Sequence, residues 1–172
     1  MKKIKTKSLA VVGVLTAIAI ILARFLGFYA TQEIRISFEG IPIILAGFWF
    51  GPITGALVGG ISDFLGAVIG GKGFYPPLIV APIALGLISG LFGKYLHVSS
   101  GKSWKLIVAV IISEIICSIF VGTLPLSWLY EAPYLELLLL RLPWKAAVAV
   151  CNCTFVVVIN RALYGRIVRK FN

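Results

Sequence analysis

Long uncharged stretches alternate along this chain with short segments that collect nearly all of its charge. Apolar spans fall at about residues 8–29, 40–50, 53–70, 78–96, 106–124 and 143–163. About 20 apolar helical residues cross about 30 Å of hydrocarbon, so these read as membrane helices. The second span is short and ends at Gly51-Pro52. It crosses only if Ile34, Ile36 and Phe38 extend it or its neighbours thin the bilayer. The pattern predicts an all-α membrane bundle of six transmembrane helices, with five as the alternative, in a single membrane-embedded domain over residues 1–172.

Composition agrees with this pattern. Of the 172 residues 60% are hydrophobic and only 13% charged, too little polar surface to wrap a soluble globule of this size. The basic residues cluster at Lys2, Lys3, Lys5 and Lys7, at Lys94, Lys102 and Lys105, and at Arg161, Arg166, Arg169 and Lys170. The acids Glu33, Glu39, Asp63, Glu114, Glu131 and Glu136 all fall in the alternate loops or inside spans. This is the positive-inside asymmetry, and it predicts a multi-pass protein of the cell membrane with both termini cytoplasmic. The net charge of +10 is thereby a topology signal, and nucleic acid is not the expected partner. The apolar stretch from Leu9 to Ala23 runs on past Arg24 without a small-residue cleavage site, so it reads as a retained first helix rather than a signal peptide. Cys117, Cys151 and Cys153 are odd in number and lie in apolar segments, favouring neither a disulfide framework nor a zinc site.

In this topology the outer loops are Ala30–Glu39, Gly70–Pro77 and Pro125–Pro143. Arg24, Arg35, Lys72, Arg141 and Lys145 lie in or beside them. Such cations either snorkel and pair with Glu33, Glu39 or Glu136, or hold an anionic solute, for which arginine offers a two-pronged match to carboxylate. The loop Gly70-Gly71-Lys72-Gly73-Phe74-Tyr75-Pro76-Pro77 reads as a lid, with hinge glycines, a cation and two flat rings. Trp128, Tyr130, Tyr134 and Trp144 fit an interfacial belt as well as ligand stacking. Gly13 and Ala17, and Ala19 and Ala23, are small pairs four apart on the first helix, while Gly55, Gly59, Gly60 and Gly66 argue tight packing of the third. Asp63 and Glu114 are intramembrane carboxylates that need partners, as do the amides of Asn152 and Asn160.

The run Arg35-Ile36-Ser37-Phe38-Glu39-Gly40-Ile41-Pro42-Ile43, then Ala46-Gly47-Phe48-Trp49-Phe50-Gly51-Pro52 and Gly59-Gly60-Ile61-Ser62-Asp63, resembles the substrate-specific S components of energy-coupling-factor (ECF) vitamin transporters. With Arg24 and the Gly-x-Gly-aromatic-aromatic-Pro loop, the likeness is greatest to the folate-specific branch. The resemblance implies a six-helix, prokaryotic capture subunit that performs no chemistry and needs no metal or cofactor. It implies a transmembrane coupling protein and two ATP-binding subunits as partners, docked through small residues of the first helix, with Ala19 and Ala23 at the matching positions and Gly13 and Ala17 on the same helix. The implied folate site draws on Arg24, Phe28, Arg35, Lys72, Gly73, Phe74, Tyr75, Trp144 and Lys145, with pterin on the aromatics and carboxylates on the cations.

Riboflavin or thiamine is the alternative cargo, the second of these calling on Glu131 and Glu136. A lipid-modifying enzyme would need a metal-binding group of acids or a histidine–nucleophile pair, and the single histidine, His97, stands among basic residues. Gly101-Lys102-Ser103 is only a fragment of a phosphate-binding loop, so energy is expected from partner subunits.

Overall fold

The structure, a computed structural model, describes residues 6–25, 27–29, 35–70, 75–95, 103–131 and 133–167. Helix α1 (Thr6–Arg24) leads into two short strands, β1 (Phe28–Tyr29) and β2 (Arg35–Ile36), followed by α2 (Gly40–Phe50) and α3 (Pro52–Ile69). A 3-10 turn (Pro76–Ile79) opens α4 (Val80–Tyr95). Then come α5 (Ser103–Glu114), a π-helical segment (Ile115–Val121), α6 (Gly122–Leu129) and α7 (Tyr134–Ile167). Since α5, the π segment and α6 join into one 26-residue rod, Trp104–Leu129, the described residues form six helical rods, as the hydropathy pattern predicts. Four of these are long and apolar enough to cross a membrane; Ser8–Arg24 and Gly40–Phe50 are shorter.

Helix α2 is apolar on every side, and such a helix belongs inside a bundle. Nine of its eleven residues are buried, Ile43, Ile44 and Ala46 completely. The surrounding helices turn one apolar face inward and another outward, where Ile53, Leu57, Val68, Leu139 and Val150 are more than half exposed. A girdle of that kind needs lipid or a partner against it. Gly51, at φ 95°, reverses the chain between α2 and α3 in a conformation that a side chain would strain, and Pro52 is preset for the first helical position. Helices α3 and α4 touch backbone to backbone: a methyl group at Gly55 would collide with the Gly86 carbonyl, and one at Gly59 with the Pro82 carbonyl.

Two sequence expectations are corrected. Ile36 does not lengthen α2, because residues 35–36 pair as a strand; α2 keeps eleven residues, about 16 Å at 1.5 Å per residue. The loop expected over Pro125–Pro143 is mostly helix, and only residues 130–133 separate α6 from α7. Proline in a helix interior lacks a donor and crowds the carbonyl four residues back. Ahead of Pro125 the helix slips to π spacing, with the Gly122 N–H donating to the Cys117 carbonyl. The slip relieves that crowding, and the rod continues to Leu129. Pro143 is likewise carried inside α7, embedded in a leucine-rich run of good helix formers. The remaining turn holds Glu131 at φ 51°.

Candidate functional site at the strand end of the bundle

The two strands pair antiparallel, Phe28 opposite Ile36 and Tyr29 opposite Arg35, and β2 packs against α7. The ladder therefore gathers the backbones of Phe28 and Arg35 next to the end of α1. There the Arg24 side chain lies across α3: a methyl at Gly66 would stand 2.7 Å from its Nε, and one at Gly70 3.1 Å from its Nη1. Gly66 and Gly70 are one turn apart, and Asp63, three residues before Gly66, shares their face. The absence of side chains at these two positions gives the guanidinium a seat.

Tyr75 is extended (φ −109°, ψ 102°) and half-buried at the foot of the 3-10 turn, where its carbonyl accepts the Leu78 N–H at 3.1 Å. The turn packs against α3, α4 and α6. The lid candidates Lys72, Gly73 and Phe74 lie outside the described residues, as does His97.

On α7 the inward stripe runs Arg141, Lys145, Val148, Asn152, positions that recur within about 60° of one another at 100° per residue. Arg141, Val148 and Asn152 are buried and Lys145 is half-buried. Trp144 falls to the side of this stripe and is 46% exposed, so it suits the interfacial aromatic position better than a ring-stacking one.

Two buried polar groups hang on that stripe. Asn152 donates its Nδ2–H to Glu114 Oε1 at 2.7 Å, and both side chains are at most 3% exposed. The first residue of α2 presses on this pair: a methyl at Gly40 would sit 2.8 Å from Glu114 Oε1 and 3.1 Å from Asn152 Nδ2. The Glu114 carboxylate thus lies at the positive end of α2, where a negative charge is stabilised. Because Asn152 is eleven residues, about 16 Å, along α7 from Arg141, α2 begins deep in the bundle. Among the described residues, β2 and residues 37–39 lead directly into that start. Arg141 is 6% exposed and donates from Nη1 to the Gly122 carbonyl (3.0 Å) and to Thr123 Oγ1 (2.9 Å). It therefore stands inside a helix rather than in the loop expected for it. Deeper still, Trp49 Nε1 donates to Asn160 Oδ1 at 2.8 Å, giving Asn160 the bond its burial demands.

Of the small residues on α1, Ala19 and Ala23 are buried against the protein's own helices, at 0% and 3% exposure. Gly13 and Ala17 face outward, and nothing lies within 4 Å of a methyl built at Gly13. The docking surface expected at Ala19 and Ala23 is taken up by internal packing in this conformation. Among the described residues no three of His, Cys, Asp and Glu come together as a metal site.

In sequence Arg141 is one of several outer cations, and nothing local joins Glu114 to Asn152. The helical spacing of Arg141, Lys145, Val148 and Asn152 is the signal that joins them, and Pro143 within it masks that spacing by resembling the end of a loop.

Residues 7–160 match the family described as ECF transporter, substrate-specific component. A folate transporter, FolT, of Clostridium novyi (strain NT) is 30% identical over 105 residues, 61% of this chain; the match spans 59% of that relative's length. The crystal structure of FolT bound with folic acid is similar at TM-score 0.78 and 25% identity, covering 92% of this chain and 95% of that one. The S component for biotin from an ECF-type ABC transporter shares the fold, with TM-score 0.78 at 22% identity over 99% and 98% of the two chains.

Proposed function

This chain belongs to the family of ECF transporter substrate-specific components, and we propose that within it the protein captures folate outside the cell for delivery across the membrane. The observation that carries the reading is the Arg24 guanidinium seated on Gly66 and Gly70 beside the strand ladder, a cation held where α1 ends. Likeness over nearly the whole chain to a protein that holds folic acid supports the same cargo. A folate is flat at one end and dianionic at the other. It suits Tyr75 and the neighbouring lid residues at its ring, with Arg24, Arg35 and Lys145 toward its carboxylates.

The strand end faces outward in this reading, and both termini face the cytoplasm, because the basic clusters flank the opposite ends of the rods. Partner subunits supply ATP hydrolysis, and a transmembrane coupling protein docks on α1 at the open Gly13–Ala17 face, where small residues permit close helix approach.

Calorimetry of the detergent-solubilised chain with folate, riboflavin, thiamine and biotin tests the cargo. Saturable binding of folate alone, weakened by about 1.5–3 kcal/mol in Arg24→Ala, is the expected result. Heat with another vitamin and none with folate overturns the assignment.

A further inference from the structure

Among the described residues the bundle buries two charges, and they are treated differently. Glu114 sits at the positive end of α2 and accepts the Asn152 amide, so its charge is answered from within the fold. Arg141 is buried almost as deeply, at 6% exposure. Its Nη1 reaches only two neutral oxygens, Gly122 O and Thr123 Oγ1, and its Nε is buried with no hydrogen-bond partner. Among the described residues no carboxylate pairs with it.

A guanidinium cannot shed its proton at physiological pH, and burying it without a counter-charge is costly. The fold nonetheless makes room for it. Gly122, whose carbonyl takes the Nη1–H, leaves space where a methyl would lie 3.9 Å from Nη2 and 3.5 Å from the Ala81 side chain at the start of α4. Close by, the 3-10 turn that ends the lid loop packs against α6. Arg141 therefore stands on the inner stripe of α7 near the start of α4, with the Nε side of its donor fork uncommitted.

We propose that Arg141 is an internal anion seat that takes a carboxylate of the transported vitamin. The Nε–H and an Nη–H offer two parallel donors to the two oxygens, while the bonds to Gly122 and Thr123 hold the fork in position. Resting on the reading of this chain as a vitamin-capture subunit, the proposal gives the anion a place inside the bundle rather than among the outer cations alone. Loading and charge neutralisation are then one event, so that the ligand-free bundle carries a cost the ligand removes.

The test uses the detergent-solubilised full chain, with folate and biotin and with their carboxamides, in wild type, Arg141→Gln and Arg141→Lys. Wild type is expected to prefer folate to folate bis-carboxamide. Arg141→Gln should weaken folate by about 10- to 100-fold, leave the bis-carboxamide nearly unchanged and so narrow the preference to what Arg24 contributes, and Arg141→Lys should fall between. Without ligand, the melting temperature of Arg141→Gln should equal or exceed that of wild type, since an uncompensated buried charge is gone. A purely structural clamp gives the opposite pattern: lower melting temperature, and folate and its carboxamide weakened by the same factor. That pattern overturns the proposal, as does a wild type indifferent to carboxylate even if the glutamine variant fails to fold. Silence with folate, together with an Arg141-dependent preference for biotin over its carboxamide, keeps the anion seat and overturns the folate reading. A wild type that binds neither carboxylate overturns both.

Discussion

Gly66→Ala separates the seat of Arg24 from the stability of the helix that provides it. Alanine is favoured over glycine inside a helix by about 1 kcal/mol, so the backbone gains from the change. The new methyl would stand 2.7 Å from Arg24 Nε and 3.2 Å from Nη2, against the 3.4 Å at which ordinary contact begins. The guanidinium must therefore retreat by about 0.7 Å, which it can do because it is the end of a flexible side chain. The fold survives, but the fork leaves its alignment. If Arg24 meets a folate carboxylate, the full contact is worth about 1.5–3 kcal/mol, the loss expected in Arg24→Ala. A displaced fork should forfeit about 1 kcal/mol of this, roughly a 5-fold rise in Kd.

Calorimetry gives the affinity, and a melting curve in the same detergent gives the stability. The expected pairing is weaker folate binding with an unchanged or higher melting temperature. Wild-type affinity in Gly66→Ala beside a weakened Arg24→Ala would refute the claim that the glycine seat positions the arginine. A melting temperature several degrees lower would show that the methyl meets something more rigid than a side-chain tip.

Other positions divide in the same way. Gly55→Ala drives its methyl into the Gly86 carbonyl on α4, where backbone must move, so thermal melting should show a loss of about 1–3 kcal/mol. Trp49→Phe leaves the buried Asn160 oxygen without its donor and should cost about 1–3 kcal/mol in unfolding, with folate affinity unchanged because the pair lies far from the strand end. Gly13→Leu with Ala17→Leu alters only an outward face; calorimetry should find folate binding intact, while vesicle uptake and co-purification with the coupling subunits should be lost.

The rods were legible because each depends on a property that sequence carries directly. Charge-free runs of bilayer length gave the spans, and Gly51-Pro52 marked the reversal between α2 and α3 through local dihedral chemistry. Residues 125–143 show the limit of local signals. Pro125 and Pro143 read as loop because proline ordinarily ends a helix, yet a π slip upstream of the first and leucine-rich flanks around the second let the helices continue. With both helices continuous, Arg141 lies in the bundle interior rather than in a surface loop.

The small residues of α1 show a second limit. The spacing of Ala19 and Ala23 is the same as that of Gly13 and Ala17, and spacing alone cannot tell an inward face from an outward one. Only the packed bundle separates the pairs, with Ala19 and Ala23 buried and Gly13 and Ala17 open.

Partnership between polar groups is less local still. Glu114 and Asn152 are 38 residues apart, and Trp49 and Asn160 are 111 apart, so neither bond leaves a trace at short range. What the sequence does supply is the demand: a carboxylate, an amide or a guanidinium in an apolar span must be answered by something. The fold answers Glu114 with the end of α2 and Asn160 with an indole. It answers Arg141 only with neutral oxygens, although a carboxylate placed elsewhere on the inner stripe could have neutralised it at less cost than an open charge. In a protein whose task is to take up a solute, a charge left for the solute to neutralise couples occupancy to the energy of the bundle. Asn152, on the same face about 16 Å away, donates to Glu114 and leaves only a neutral buried oxygen, its Oδ1, unbonded, so no charge there waits for a solute.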